Sequence, residues 1–324
     1  MLFPEPRGDS EFFQSLHISL PFFLVMPNNP EPMRKKPSKK NERISLPPSA
    51  AVGRAAAKPG SRGMRGQERG LGSRSAGRRG PPSGRVVAGI HACAEVLKVR
   101  PEAISEVWMQ SPGGPLQLRD QLAPVINRKG VEVRIQPIPV MDRCARGHQG
   151  LLLFVNAAPS LDWNDLVQRD KAIVLVLDGI EDPQNFGAIL RTAWLMEVSA
   201  ILVPKDRAVG LTATVVRVAS GGAEHVPVVV CNTLQEPVKR LKDLGFWVFG
   251  LAEQGRQRLW QLNLPERVVW VIGAEDKGIR SSMGRLCDEL VCLPQAQTGS
   301  SYNASVATSL ATFETLRQWQ DKNA

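Results

Sequence analysis

Apolar runs and amphipathic segments alternate regularly over the second half of the chain, and no other feature of the sequence constrains the fold as strongly. The run 172–180 (AIVLVLDGI) is continuously apolar up to Asp178, as expected for a strand covered on both faces. A helical pattern with apolar residues on one face follows it. Similar strand-like runs lie at 200–205, 226–231, 246–252, 268–275 and 289–294. This order predicts an α/β fold with a parallel sheet, whose ligands bind beyond the carboxyl ends of the strands.

Two polar loops directly follow buried strands of this predicted sheet. In the first, Asn185 and Arg191 lie six residues apart, at the entrance and in the second turn of a helix. Taken alone, they are equally consistent with a helix cap and a solvated helical residue. In the second, Gly273, Ala274 and Glu275 end a strand, and the glycine lets a ligand approach the backbone. By itself this loop could also be a plain turn with an exposed glutamate.

A third polar loop, 293–307, leads into an apolar C-terminal helix. Its candidate site residues are Leu293, Ser301, Tyr302, Asn303 and Ser305. Of these, Ser301, Asn303 and Ser305 could simply be capping groups. No strand is followed by the G-x-G-x-x-G spacing of dinucleotide-binding proteins. The sequence therefore does not predict an NAD-binding enzyme.

Together, the three loops resemble the three motifs of the SpoU (SPOUT) family of RNA ribose methyltransferases. They match N-x-G-x-x-x-R at 185–191, G-x-E-x-x-G at 273–278 and S-x-N-x-S-V-A at 301–307. The intervening segments 203–207 and 219–227 also resemble the family. Segments 89–92 and 147–150 resemble the substrate domain of the subfamily that methylates a guanosine ribose in bacterial 23S rRNA.

The resemblance implies a parallel sheet with a C-terminal trefoil knot and S-adenosylmethionine as the methyl donor. It assigns donor binding to Gly273, Ala274, Leu293, Tyr302, Asn303 and Ser305, and catalysis to Asn185, Arg191, Glu275, Ser301 and Asn303. It also implies a homodimer with the active site at its interface. Tyr302 departs from the family, which usually has leucine there. Because arginine stays protonated in proteins, we expect Arg191 to clamp the RNA phosphate and polarise the 2′-hydroxyl, while a phosphate oxygen or water takes the proton.

Charge and composition divide the chain. Residues 1–85 hold 16 lysines and arginines against six acidic residues, whereas the remainder holds 25 of each. We predict a disordered basic Arg/Gly/Pro-rich tail over 1–84, because this segment has too few core-forming residues. The tail is followed by three further predicted segments: a small α/β RNA-binding domain over 85–157, a linker over 158–170 and the methyltransferase domain over 171–324.

The predicted function is therefore 2′-O-methylation of a ribose, expected to be a guanosine of 23S rRNA in the large ribosomal subunit or its precursor. Two alternatives remain at this stage: a tRNA 2′-O-methyltransferase of the same family, and a noncatalytic ribosome-assembly factor. Five scattered cysteines without a CxxC pair predict free thiols and no metal site. The apolar segment 12–26 is interrupted by Pro21 and is too short to span a bilayer, so a cytoplasmic protein without a membrane partner is expected.

Overall fold

The computed structural model describes residues 84–297 and 300–322. Apart from Gly84, the predicted basic tail lies outside the described residues. None of the helices in this part of the chain is long and apolar enough to cross a membrane.

The first sheet has four strands and lies within residues 85–155. Its strand order is β1-β4-β2-β3, in which β4 is antiparallel to β1 and β2, and β2 is parallel to β3. The elements are β1 (Arg85–Ala88), α1 (Ile90–Val99), β2 (Ile104–Met109), α2 (Arg119–Ile126), β3 (Glu132–Ile135), α3 (Ile138–Cys144) and β4 (Leu151–Val155). Strands and helices alternate along this part of the chain.

A short helix, α4 (Trp163–Gln168), follows in the segment predicted to be a linker. Asp162 caps it by accepting a hydrogen bond from the Asn164 amide over 2.8 Å, and Leu166 is buried. The helix was not predicted because the segment is mostly polar. Its stability depends on one buried apolar side chain. Pro137 and Pro139 lie at the start of α3, where proline is well tolerated because the first amides of a helix have no partner within it.

The second sheet has seven strands, all parallel, in the order β7-β6-β5-β10-β8-β11-β9. Its elements are β5 (Ala172–Asp178), α5 (Pro183–Leu195), β6 (Ala200–Pro204), α6 (Ala213–Ala219), β7 (Val228–Cys231), α7 (Gln235–Asp243), β8 (Trp247–Leu251), β9 (Gln257–Arg258), β10 (Arg267–Gly273), α8 (Ser281–Gly284), β11 (Glu289–Cys292) and α9 (Ala304–Asp321). The predicted parallel sheet is therefore confirmed. The two-residue strand β9 and the single-turn helix α8 were not predicted, because elements this short show no periodicity.

Strands β5 and β10 form the centre of this sheet and carry its candidate site. Every residue of β5 is buried, and Trp270 of β10 is completely buried beneath α9. The Trp270 indole donates a hydrogen bond to Thr315 Oγ1 over 3.0 Å, which satisfies the one polar atom of that ring in the core. The paired ends of β5 and β10, Asp178 and Gly273, therefore lie at the same edge of the sheet.

A buried ion pair joins the first sheet to the helices of the second. The Glu224 side chain is fully buried and accepts hydrogen bonds from both terminal nitrogens of Arg85, at 2.5 and 2.7 Å. Next to it, His225 hydrogen-bonds Glu95 over 2.8 Å and stacks on Trp194 of α5 at 4.4 Å between ring centroids. These contacts hold the first sheet against the helix that carries Asn185 and Arg191.

Candidate active site

Three polar side chains from the three loops meet at the carboxyl edge of the seven-stranded sheet. Asn185 and Asn303 each donate a side-chain hydrogen bond to Glu275 Oε1 over 2.7 Å. The Asn303 amide also donates to Asn185 Oδ1 over 2.8 Å. The structure thus brings together one residue from each sequence motif.

Helix α5 positions Asn185 in its first turn. Asp182 caps the helix by accepting a hydrogen bond from the Gln184 amide over 3.0 Å, and Pro183 is its first residue. Asn185 is buried, so its side chain is held in one place and directed at the neighbouring loop.

A tight turn after β10 positions Glu275. The Gly278 amide donates to the Ala274 carbonyl over 2.7 Å, and Gly278 has a φ of 63°, in the left-handed region. A Cβ placed on Gly273 would lie 2.1 Å from the Gly278 carbonyl carbon, so no other residue fits without moving the backbone. Both motif glycines are therefore required by the turn itself.

Asn303 is the N-cap residue of α9 as well as a member of the cluster. Its Oδ1 accepts hydrogen bonds from the Ser305 amide at 2.9 Å and from Ser305 Oγ at 2.6 Å, while its Nδ2 donates to the cluster. Asn303 therefore caps the helix and belongs to the cluster at the same time, because the two ends of its amide serve different partners.

A cavity of about 610 Å³ opens beside the cluster. Gly273, Ala274, Glu275, Ser301 and Tyr302 all line it. Apolar side chains form another part of its wall, namely Leu251, Ile272, Ile279, Leu290 and Ala307. Within the described residues, the Ser301 side chain makes no hydrogen bond.

Leu293 lines a small cavity of about 80 Å³ together with Ser301 and Tyr302, which both border the large cavity as well. The Tyr302 hydroxyl donates to the Pro294 carbonyl over 2.7 Å. This bond holds the aromatic ring against the loop that follows β11, so the residue that departs from the family pattern is part of the cavity wall.

Arg191 is a predicted catalytic residue that the structure does not bring to the cluster. It is exposed in the second half of α5 and makes no hydrogen bond or ion pair in the described part of the chain. Six residues of helix turn the side chain by about 240° and advance it by about 9 Å from Asn185. Within one chain, Arg191 therefore points away from Glu275.

One ion pair at this edge was not predicted from the sequence. Asp178, at the end of β5, is buried and accepts the Arg280 amide at 2.9 Å and Arg280 Nε at 2.6 Å. The pair ties the loop after β5 to the turn after β10. The signal was an aspartate ending an otherwise apolar strand, since a charge is buried there only when it has a partner.

The described residues contain no group of His, Cys, Asp and Glu side chains that could hold a metal ion. All five cysteines are free. Only Cys93 is fully buried, and burial raises its pKa well above the usual range. Burial also raises the pKa of the Cys287 thiol to about 12, so this side chain stays protonated at neutral pH.

Comparison with known proteins identifies the family. The SpoU rRNA Methylase family matches residues 172–313. The 23S rRNA (guanosine-2'-O-)-methyltransferase RlmB of Shewanella oneidensis is 38% identical over 244 residues, covering 72% of this chain and 97% of the relative. The chain belongs to the SpoU rRNA methylase family. RlmB of Vibrio cholerae is likewise 38% identical, with 73% and 98% covered.

Solved SpoU structures have the same fold. The SpoU methyltransferase AviRb from Streptomyces viridochromogenes, solved with AdoMet, has a TM-score of 0.64 at 18% identity and covers 72% of this chain and 89% of its own. An AdoMet-bound rRNA methyltransferase from Sinorhizobium meliloti has a TM-score of 0.60 at 22% identity, with 72% and 87% covered. The SpoU membership expected from the three motifs is confirmed.

Proposed function

We propose that this SpoU methylase transfers a methyl group from S-adenosylmethionine to the ribose 2′-oxygen of a guanosine in 23S rRNA. The observation that carries the proposal is the single hydrogen-bonded cluster formed by Asn185, Glu275 and Asn303 beside a cavity large enough for the donor. The relatives are named as enzymes that act on a guanosine of 23S rRNA, and this chain matches them over nearly their whole length. They supply the substrate of the proposal.

The large cavity fits the methyl donor in size and in chemistry. Its 610 Å³ lie in the range of small-molecule sites. Apolar walls suit an adenine ring, while the backbone around Gly273 and the side chains of Ser301 and Tyr302 offer polar groups. Gly273, Ala274, Leu293, Tyr302, Asn303 and Ser305 would hold the donor. When bound, it supplies a methyl group on a sulfonium, which needs no further activation.

Glu275 is placed to orient the ribose hydroxyl. Its Oε1 is occupied by the two asparagine amides, whereas its Oε2 makes no hydrogen bond among residues 84–297 and 300–322. A 2′-hydroxyl donating to Oε2 would be held at a fixed position beside the donor cavity, and positioning of this kind lowers the barrier. Ser301 would supply a further hydrogen bond at the same wall.

Arg191 would bind the phosphate next to the target ribose and polarise the hydroxyl, while a phosphate oxygen or water takes the proton. Its guanidinium suits this role, since it presents several donors in one plane to phosphate oxygens. Arg191 points away from Glu275 of its own chain, so it can serve this site only from a second copy.

A homodimer would supply that second copy, and α9 carries a surface suited to it. Val306, Leu310 and Phe313 follow each other at helical spacing and are 44%, 37% and 58% exposed. Leu195 of α5, the helix packed beside α9, is 65% exposed. Apolar side chains grouped in this way mark an interaction surface. We assign this surface to a dimer contact that brings Arg191 of one chain to Glu275 of the other.

The trefoil knot is part of the same proposal. Strand β11 lies between β8 and β9, which precede it and are joined only by residues 252–256. A Cβ on Gly255 would meet the backbone of Val291 and Cys292 at 2.4 Å, so this connection passes close to β11. Such an arrangement is compatible with a C-terminal segment threaded through an earlier loop, which is otherwise rare.

The domain division is likewise proposed: a tail over 1–84, an RNA-binding unit over 85–157, a connection over 158–170 and the methyltransferase over 171–324. The buried Arg85–Glu224 pair supports a first unit that is held close to α5 and can present RNA to the site. The charge of the tail supports added phosphate contacts. A ribosomal substrate in turn supports a cytoplasmic location.

The direct test is methyl transfer from labelled S-adenosylmethionine to purified 23S rRNA, to 23S rRNA fragments and to tRNA. We expect one guanosine of 23S rRNA to become resistant to alkaline cleavage on its 3′ side, which is the signature of a 2′-O-methyl group. Methylation of tRNA alone would favour the tRNA enzyme. Donor binding by calorimetry without transfer to any RNA would favour the noncatalytic assembly factor.

A further inference from the structure

A second cavity, of about 300 Å³, also borders the Ala274–Gly278 turn. Asn185 and Glu275 line it, and the turn borders both this cavity and the donor cavity. A ligand here and the donor would therefore both lie next to Glu275, which brings the two reactants close together. The volume suits one nucleoside that has been taken out of the base stack.

Five carboxylates line this second cavity, and four of them already have partners within the described residues. The four are Asp178 with Arg280, Asp182 with the Gln184 amide, Glu275 with the two asparagines, and Asp276 with Lys277. Glu181, exposed in the loop after β5, makes no hydrogen bond or ion pair in that part of the chain. It is the carboxylate of this cavity whose two oxygens are available to a ligand.

We propose that Glu181 selects guanine as the base of the target nucleotide. This inference rests on the proposed ribose methylation of guanosine and names the residue that chooses the base. Guanine presents two adjacent donors, N1–H and the N2 amino group, which a carboxylate accepts side by side. Adenine presents an acceptor at N1, which a carboxylate repels. Glu181 thus accepts guanine and rejects adenine.

Arg207 lines the same cavity and supplies the complementary charge. Its φ of 58° lies in the left-handed region, which is costly for a residue other than glycine and is often associated with functional sites. The Val209 amide donates to the Ile180 carbonyl over 3.2 Å, which ties this loop to the one that carries Glu181. In this proposal Arg207 binds an RNA phosphate at the mouth of the cavity, in addition to the one assigned to Arg191 and irrespective of the base.

The two roles predict different kinetic effects on short RNA substrates carrying guanosine, inosine or adenosine at the target position. Glu181→Gln preserves size but offers one donor and one acceptor, a pattern that matches adenine N1 and N6. We expect the guanosine-to-adenosine ratio of kcat/KM to fall about 10- to 100-fold. Inosine lacks the N2 amino group, so the wild type should use it less well than guanosine, and the variant should narrow that difference. Arg207→Ala should raise KM for all three RNAs by a similar factor.

Glu266→Gln is the matched control, because Glu266 is exposed and directly precedes β10, at the opposite edge of the sheet. It should leave both kcat/KM and the base ratio unchanged. An unchanged base ratio in Glu181→Gln, with guanosine still methylated, would overturn the role of Glu181 and leave the proposed function standing. A wild-type protein that methylates none of the three RNAs and no 23S rRNA would instead contradict the proposed function.

Discussion

Asn303 donates a hydrogen bond to Glu275 Oε1 over 2.7 Å, and this contact joins two loops that lie 28 residues apart in the chain. The same asparagine caps α9 through its other amide atom. Folding of the C-terminal helix and assembly of the site are therefore linked through one side chain.

Asn303→Asp separates these two roles. Aspartate caps a helix as well as asparagine does, so the cap itself should be retained. The new carboxylate would face Glu275 at hydrogen-bond distance, and like charges so close repel. We expect methyl transfer to fall at least about 100-fold, the scale of losing a stabilising donor in an active site. Asn303→Ala should in addition lose about 1 kcal/mol of stability with the cap, measured by denaturant unfolding.

Arg191→Ala should abolish methyl transfer while leaving binding of S-adenosylhomocysteine nearly intact, since Arg191 lines neither cavity beside the cluster. Arg191→Lys should not restore activity, because a point charge lacks the planar fork of the guanidinium. Transfer to an rRNA fragment and calorimetry with the cofactor product measure the two effects. If either variant retained near-normal transfer, Arg191 would leave the list of catalytic residues.

Gly273→Ala should disrupt the turn that forms the wall of the donor cavity. Its Cβ would lie 2.1 Å from a backbone carbon of Gly278, a distance that only movement of the turn can relieve. We expect cofactor affinity to fall by about tenfold or more, measured by calorimetry. Gly210→Ala is the control, because a Cβ there has no neighbour within 4 Å, and its affinity should equal that of the wild type.

Phe313→Asp should weaken the proposed dimer, because it places a charge in the exposed apolar stripe of α9. Light scattering should report monomers at micromolar concentration, and methyl transfer should fall with the loss of the partner's Arg191. A second experiment mixes the Arg191→Ala and Glu275→Ala variants, both with Phe313 unchanged. Part of the activity should return, because each mixed dimer has one site with an intact Arg191 from one chain and an intact Glu275 from the other. A Phe313→Asp protein that stays dimeric would exclude this surface as the contact.

Deletion of residues 1–83 should leave the fold intact and weaken RNA binding. The segment holds most of the excess positive charge, and phosphate contacts release counterions when they form. The plot of log Kd against log salt concentration should become less steep. An identical slope for the full chain and the shortened chain would show that the tail makes no phosphate contacts.

The sequence by itself determined the strand–helix alternation, the parallel sheet and the family, because these depend on local apolar patterns and on three motifs with fixed internal spacing. It also placed Asn185, Glu275 and Asn303 in loops after strands or before a helix. It did not reveal helix α4, whose stability depends on the burial of Leu166 against distant residues.

Only the tertiary structure decided how these residues meet. Strand order, which sequence periodicity does not encode, places β5 beside β10 and so brings Asn185 to Glu275 across 90 residues of chain. The pitch of α5 turns Arg191 away from that cluster, although the two motif residues are only six positions apart. The partner of the buried Asp178 was likewise decided by packing. Arg280 lies 102 residues away in the chain, so the sequence alone does not reveal the pair.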